Sequence, residues 1–221
     1  MDASNSVNAE NREQVLTHLL SNPYWRLNNL YKIKDAQGKK IPFRMNWAQE
    51  EFYRNMHYFN IILKARQLGF TTLIMLYFLD ACMFTRNHSA GIVAHAREAA
   101  EDLFRNKIRF AYDELPDWLK KEFPARSDSA RVLEFENGSS ISVGTSLRSG
   151  TYQKLLISEY GKTSVREPEK AIEIKTGAFN TVHVGQQIIV ESTAEGQAGE
   201  FFNLVQRGKA LIGQELTPLD P

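Results

Sequence analysis

The chain has 221 residues, of which 43% are hydrophobic and 24% charged, and its formal net charge is +1. These values exclude a wholly disordered chain and a protein that coats nucleic acid through its overall charge. The length allows one substantial α/β domain with a short appendage. The single cysteine, Cys82, can form no internal disulfide, and no apolar run is long enough to span a bilayer. We therefore expect a cytoplasmic protein.

The first elements in chain order are short. Residues 8–20 favour a helix that "SNP" ends, and residues 1–22 are expected to form an N-terminal arm or short helix. In residues 24–40, aromatic and basic residues closed by "DAQGKK" predict a strand or the edge of a hairpin. The segment "MNWAQEEFYRNM" then has helical spacing.

From there on, predicted strands alternate with predicted helices. "FNIILKAR" is typical of a buried strand, and the helix that follows Gly69 extends to about Phe84. "AGIVAHA" is a second strand, followed by the amphipathic helix "REAAEDLFRNKIRFAYDEL". "RVLEFENGSSISVGTS" predicts a hairpin that turns at Asn-Gly. The strand "KLLISEY", a helix around "EPEKAIEIKTGAF", the strand "QQIIVEST" and a helix near "EFFNLVQRGKAL" complete the pattern.

This alternation predicts an α/β fold with a mostly parallel central sheet flanked by helices, and with a small hairpin. In such sheets, ligands bind beyond the carboxyl ends of the strands. Three polar segments, "KARQLGFTT", "ISEYGK" and "ESTAEG", each follow an apolar strand. We therefore expect them to meet in space although they are far apart in the sequence.

The first polar segment has the place of a phosphate-binding loop but not its usual sequence. In G-x-x-x-x-G-K-[ST], the lysine follows the second glycine. When Gly69 is aligned with that glycine, Thr71 takes the hydroxyl position and Phe70 takes the lysine position. Lys64 then takes the position of the first glycine. The sequence therefore places its lysine at the opposite end of the loop.

The loop nevertheless has the composition of an anion site. A glycine turn at a helix N-terminus favours negative charge through free N–H groups and the helix dipole. Lys64 and Arg66 add positive charge, and Thr71 or Thr72 offers a hydroxyl to magnesium. The alternative is a structural strand-to-helix turn with solvated charges.

The second polar segment places Glu159 just beyond an apolar strand. There, a carboxylate can polarise the water that attacks a γ-phosphate. The usual Walker B segment ends in Asp-Glu, and its aspartate orients the magnesium shell. Here Ser158 replaces that aspartate with a hydroxyl, which can hydrogen-bond a metal-bound water but carries no charge. A surface glutamate at the end of a strand is the alternative.

The third polar segment again follows an apolar strand. Ser192 and Thr193 are placed to sense a γ-phosphate and to transmit its loss to neighbouring elements. A polar loop that leads into a helix is the alternative.

Together, "KARQLGFTT", "SLRSGTYQKLLISEYGK" and "VESTAEGQAGEFF" resemble the motor domain of the phage large terminase subunit, the ATPase that drives viral DNA into a capsid. The resemblance covers about residues 47–202 and implies a P-loop NTPase of the ASCE type. In this family the lysine is often moved to the start of the loop. The resemblance therefore implies that Lys64 contacts phosphate.

The resemblance also implies roles for single residues. Glu159 matches the catalytic carboxylate, Arg66 the loop arginine and Thr71 the magnesium-binding hydroxyl. Gln49 in "NWAQEEFY" matches the residue that reads adenine, since an amide offers both a donor and an acceptor. The implied ATP-binding residues are Gln49, Lys64, Ala65, Arg66, Gln67, Leu68, Gly69, Phe70, Thr71 and Thr72; the implied metal-site residues are Thr71 and Ser158; the implied coupling residues are Ser192, Thr193 and Ala194.

Arg148 in "SLRSG" lies where terminases can present an arginine to the ATP of a neighbouring subunit. Such an arginine stabilises charge on the transferred phosphoryl group. A structural hydrogen bond within the loop is an equally open role for Arg148.

The implied cofactors are ATP and Mg²⁺, and the implied partners are double-stranded DNA, a portal protein, a small terminase subunit and further copies in a ring on the capsid. The expected boundaries are a motor domain at 23–213 and a linker stub at 214–221. We do not expect the ribonuclease H type nuclease domain of large terminases here, and we therefore expect no nuclease activity. We expect the isolated domain to be a monomer, located in the host cytoplasm. The candidate basic surface for DNA phosphates comprises Lys120, Lys121, Arg126 and Arg131.

Two other functions remain open. A helicase-like ATPase shares the strand plan, but the chain has no Asp-Glu-x-Asp or Asp-Glu-x-His box. A scaffold that keeps the fold without hydrolysing nucleotide is favoured by Phe70 and Ser158, which replace two functional positions.

Overall fold

A pair of helices and a short hairpin precede the main sheet. The computed structural model describes residues 14–126, 129–147, 150–183 and 185–211. Residues 14–21 are helical (α1), α2 covers Pro23–Asn29, and β1 (Lys32–Lys34) pairs antiparallel with β2 (Lys40–Pro42).

The prediction of a strand or hairpin edge over residues 24–40 is wrong for the first part of that segment, which is helical. Asn22 caps α2 by accepting a hydrogen bond from the Trp25 backbone N–H. Pro23 stands at the first helical position, where a backbone donor is not needed. These two residues begin a helix, and the hairpin follows it.

The rest of the chain alternates strands and helices as predicted, with two further helices, Asp117–Glu122 and Tyr160–Arg166, that were not predicted. The strands are β3 (Phe59–Leu63), β4 (Ser89–Val93), β5 (Val132–Glu134), β6 (Ser140–Gly144), β7 (Lys154–Ser158) and β8 (Gln187–Ser192). The helices are α3 (Trp47–Arg54), α4 (Phe70–Phe84), α5 (Arg97–Leu103), α6 (Phe110–Asp113), α7 (Asp117–Glu122), α8 (Tyr160–Arg166), α9 (Pro168–Gly177) and α10 (Gly199–Ala210). A π-helical segment, Phe104–Arg109, joins α5 to α6 within the predicted amphipathic helix. No helix in the described ranges has the length and apolar composition needed to cross a membrane.

Within the described ranges, six strands form one sheet in the order β3-β8-β7-β4-β6-β5. All neighbouring pairs are parallel except the hairpin of β5 with β6. The last strand of the chain, β8, therefore lies between β3 and β7. The register sets Ser158 beside Glu191 and Leu63 beside Ser192, so the carboxyl ends of these three strands meet at one edge.

Helices cover both faces of this sheet. On one face, α4 is the central helix, and most of its 15 residues are buried. On the other face, α8, α9 and α10 pack through Tyr160, Ile174 and Phe201. The two apolar layers fix α4 and α8 against the sheet. The loop of residues 64–69 leads from the carboxyl end of β3 into α4, and Glu159 alone separates the carboxyl end of β7 from α8.

A buried ion pair ties α2 to α4. Arg26 Nε lies 2.9 Å from Asp80 Oδ1, and the second guanidinium nitrogen lies 2.6 Å from Asp80 Oδ2. The Tyr31 hydroxyl donates to Asp80 at 2.9 Å, and the guanidinium stacks on the Phe84 ring. Burial raises the pKa of Asp80, and Arg26 opposes this rise. Arg26 therefore offsets part of the cost of burying this carboxylate in the helical layer that includes α4.

We predict that Arg26→Met lowers the free energy of unfolding by about 3–5 kcal/mol, because Asp80 would remain buried without its cation. Urea unfolding followed by circular dichroism measures the loss. The matched control is Arg97→Met, which removes an exposed pair with Glu101 and is expected to cost about 0.5 kcal/mol or less. Equal losses in the two variants would contradict the structural role of the buried pair.

Candidate functional site

The turn of residues 64–69 links β3 to α4. Gly69 directly precedes α4 with φ of 74°, and Gln67 also has a positive φ, of 66°. Left-handed backbone is uncommon for a residue other than glycine and is typical of functional turns. No side chain within the described ranges caps α4, so its first N–H groups are available to an anion.

Helix α3 holds this loop from the side. The Gln49 Nε2 group donates to the Gly69 carbonyl at 2.8 Å, and Asn46 Nδ2 donates to the Leu68 carbonyl at 3.2 Å. The Gln49 Oε1 atom accepts from the Asn46 backbone N–H, which completes a capping box. Gln49 is only 3% exposed, and both ends of its amide are bonded within the protein. It therefore braces the loop in this structure, and its role toward adenine stays a prediction.

The ends of β3, β7 and β8 gather around a buried carboxylate, that of Glu191. Thr71 Oγ1 donates to Glu191 Oε1 at 2.6 Å, and Ser158 Oγ donates to the same oxygen at 2.9 Å. Lys64 Nζ lies 2.9 Å from Glu191 Oε2 and donates to Thr71 Oγ1 at 3.0 Å. We call Lys64, Thr71, Ser158 and Glu191 the Glu191 cluster. The Glu191 carboxylate thus links the predicted lysine and loop hydroxyl to Ser158, the residue at the predicted Walker B position.

Sequence reasoning missed Glu191. Its side chain is 0% exposed, although a charged side chain is almost never fully buried without a partner. The signal was present, since the glutamate still lies within the strand "QIIVES", directly after three apolar residues. Its significance depends on the neighbouring strands, which the chain order does not reveal.

Glu159 lies beside the cluster in a strained conformation. Its φ is 55°, in the left-handed region, at the junction between β7 and α8. One carboxylate oxygen lies 3.6 Å from Lys64 Nζ and the other 3.2 Å from Lys162 Nζ. Two cations therefore hold a partly exposed carboxylate at the edge of the sheet, which is a suitable arrangement for orienting a water molecule and taking its proton.

His95, which follows β4, adds a titratable group that sequence reasoning did not select. Burial lowers the pKa of His95, and the charge of Lys162 lowers it further, while Glu159 acts in the opposite direction. The His95 carbonyl accepts a hydrogen bond from Lys170 Nζ at 2.8 Å, which joins this strand end to α9. The neutral imidazole is therefore the favoured form near pH 7.

The predicted coupling residues follow Glu191 directly. Ser192 is fully buried, and its Oγ has no hydrogen-bond partner among the described residues. A Cβ atom on Gly161 of α8 would lie 2.6 Å from that Oγ and 3.1 Å from the Thr193 carbonyl. Ala194 lines a cavity of about 240 Å³ beside α8 and α10. The coupling segment is therefore packed against the start of α8, two residues after Glu159.

Other predicted residues do not join the cluster. Arg66 is exposed and has no hydrogen bond or ion pair with any described residue, and Ala65 and Gln67 are exposed in the same turn. Phe70 is buried and packs edge-on against Phe52, so only its backbone can face an anion. The side chain of Thr72 and that of Leu68 are also turned toward protein. Arg148 lies outside the described residues.

Solved structures that share this fold include two phage large terminases. The large terminase of bacteriophage HK97 matches with a TM-score of 0.67 and 17% identity, over 89% of this chain and 42% of that chain. The large terminase of a thermophilic bacteriophage matches with a TM-score of 0.52 and 14% identity, over 80% of this chain and 45% of that chain. No family model and no curated protein sequence matches the chain.

These comparisons confirm the predicted P-loop NTPase fold and the resemblance to large terminases at the level of the fold. The chain spans less than half the length of either terminase.

We predict that Gly69→Ala destabilises the protein more than Gly38→Ala does. Both glycines have nearly the same φ, 74° and 77°, so both substitutions carry the left-handed strain of about 1–2 kcal/mol. A Cβ on Gly69 would also meet Gln49 Nε2 at 2.7 Å, whereas nothing lies within 4 Å of one on Gly38. We expect an additional loss of about 1–3 kcal/mol for Gly69→Ala, measured by urea unfolding. Equal losses would show that Gln49 does not brace the loop.

Proposed function

We propose that the chain is an ATPase motor of the large terminase kind, which couples ATP hydrolysis to the movement of double-stranded DNA into a procapsid. One observation carries the proposal: Lys64 Nζ and the Glu159 carboxylate lie 3.6 Å apart at the carboxyl edge of a parallel sheet, next to an uncapped helix N-terminus. The fold shared with the large terminases of HK97 and of the thermophilic phage supports it.

The loop is suited to binding the phosphates of ATP. Its left-handed turn leads into α4, a helix of 15 residues whose N-terminus attracts negative charge. Lys64 is held by ion pairs with Glu191 and Glu159 rather than by a fixed structural hydrogen bond to the backbone, so its ammonium can turn toward phosphate. Lys64 therefore replaces the lysine that Phe70 cannot supply.

The same edge fits a magnesium ion. Magnesium prefers oxygen ligands and is usually held by one or two protein groups, waters and substrate phosphates. The Thr71 hydroxyl is the direct ligand that the site offers, and Ser158, Glu191 and Glu159 can accept hydrogen bonds from metal-bound water. When bound, magnesium neutralises charge that develops on the phosphate oxygens.

Glu159 acts as the catalytic carboxylate in this proposal. Lys162 holds one carboxylate oxygen at 3.2 Å, and the left-handed backbone sets the direction of the side chain. The carboxylate orients the attacking water and accepts its proton.

Movement of DNA would begin at the coupling residues Ser192, Thr193 and Ala194, which pack against α8 directly after Glu159. Assembly in a ring on a portal, with a small terminase subunit, belongs to the same proposal, and an arginine from a neighbouring copy would complete the site. Of the predicted DNA-binding residues, Lys120 is paired with Asp117 at 3.1 Å, while Lys121, Arg126 and Arg131 are exposed.

We predict that the chain hydrolyses ATP in the presence of magnesium and that Glu159→Gln and Lys64→Met each lower kcat by about 100-fold or more. Glu134→Gln and Lys39→Met change exposed residues of the same types away from the loop and are expected to leave kcat unchanged. Steady-state turnover over a range of protein concentrations tests this, and a rise steeper than linear would indicate a residue supplied by a neighbour. Absence of turnover together with absence of nucleotide binding by calorimetry would favour the scaffold function.

We also predict that the chain binds double-stranded DNA without sequence preference and that affinity falls as salt rises, because the contacts are to phosphates. The variant Lys121→Ala/Arg126→Ala/Arg131→Ala is expected to reduce the slope of log affinity against log salt by about one for each lost phosphate contact. Fluorescence anisotropy with two unrelated duplexes measures both effects, with Lys39→Ala as control. An unchanged slope would exclude this surface from DNA binding.

A further inference from the structure

In a usual Walker B motif, an aspartate supplies the negative charge of the metal shell, and Ser158 at the end of β7 takes its place here. We propose that Glu191 supplies that charge instead, from the neighbouring strand β8. The inference rests on the proposed function, because it assigns a further residue to the same nucleotide site. Glu191 would act as a positioning residue, through metal-bound water and through Lys64.

The register of the sheet places Glu191 where this charge is needed. Ser158 and Glu191 are direct partners on the adjacent strands β7 and β8, and the Ser158 hydroxyl donates to the Glu191 carboxylate at 2.9 Å. The same carboxylate oxygen accepts from the loop hydroxyl of Thr71 at 2.6 Å. Glu191 therefore contacts both the magnesium-binding hydroxyl and the residue that has lost the aspartate charge.

The burial of Glu191 indicates that its charge has a functional role rather than a stabilising one. An apolar side chain of similar volume is often neutral or stabilising in place of a buried ion pair. The preceding β8 residues Ile188, Ile189 and Val190 are all apolar, so the strand itself does not require a carboxylate.

Lys64 marks the place that a cation takes among these oxygens. Its ammonium lies 3.0 Å from Thr71 Oγ1, 2.9 Å from Glu191 Oε2 and 3.6 Å from Glu159 Oε1. Its side chain is only 10% exposed, so the three oxygens share a largely dehydrated positive charge.

Glu191 Oε2 accepts no well-directed hydrogen bond from any residue in the described ranges, even though the ammonium is near. That oxygen is therefore free to accept one from metal-bound water. When Lys64 turns toward phosphate, magnesium would restore the positive charge that the carboxylates lose.

A charge swap separates this role from a structural one. The variants are Glu191→Gln, Ser158→Ala and the double variant Ser158→Asp/Glu191→Gln, which returns the carboxylate to β7. For each variant, calorimetry gives the affinity for ADP with magnesium and with EDTA, and the ratio of the two is the magnesium effect. Thermal unfolding shows whether each variant is folded.

We expect Glu191→Gln to reduce the magnesium effect about 10- to 100-fold, which is the usual loss when a group outside the direct ligands is removed. We expect the double variant to recover most of the effect, and we expect Ser158→Ala, which removes a hydroxyl but no charge, to lose less of it than Glu191→Gln does. ADP binding in EDTA is expected to persist in all three variants, because the loop and the α4 N-terminus remain. If Glu191→Gln does not fold, the double variant alone decides by its magnesium effect.

The inference is overturned if Glu191→Gln keeps the wild-type magnesium effect, or if the folded double variant lacks it. It is also overturned if Glu191→Gln weakens ADP binding equally with magnesium and with EDTA, since that result assigns Glu191 a purely structural role. In each of these cases, the proposed function is not contradicted as long as the wild type binds ADP. Absence of ADP binding by the wild type itself would overturn both.

Discussion

The contact between Lys64 and Glu191 is the interaction around which this edge of the sheet is built. A fully buried carboxylate is costly unless it is paired and hydrogen-bonded, and here one cation and two hydroxyls provide that compensation. The partners come from the loop, from α4 and from β7. Because buried Glu191 needs all of them, its compensation fixes these three segments relative to β8. Removing any partner would leave charge uncompensated inside the protein.

The surrounding structure keeps this contact in place. Gln49 and Asn46 hold the loop carbonyls at the start of α3, and the ion pair of Arg26 with Asp80 fixes α4 to α2. Because β8 inserts between β3 and β7, residues that are more than a hundred positions apart become neighbours. The site therefore exists only in the folded sheet, whereas the loop alone carries little more than an anion-binding turn.

The sequence predicted the alternation of strands and helices because each apolar run ends at a clear polar segment or turn. It also predicted that the polar segments after these strands would meet, and Lys64 and Glu159 do lie 3.6 Å apart. Their roles toward nucleotide stay predictions. It did not predict α2, whose start is set by Asn22 and Pro23 within a mixed aromatic and basic segment. Glu191 was missed for a different reason: its partners are determined by the order of strands in the sheet, and no local pattern encodes that order.

The position of Glu191 on β8 has a consequence for coupling in the proposed motor. Ser192 and Thr193 follow the carboxylate directly, and they press on Gly161 at distances that leave no room for a Cβ atom. Packed interiors are close to incompressible, so a shift at the end of β8 has to displace α8 or be resisted by it. In a usual Walker B arrangement, the metal-shell carboxylate and the coupling segment lie on different strands. In the proposed motor, one strand would carry both, so the charge proposed to respond to nucleotide would lie one residue from the segment that contacts the next helix.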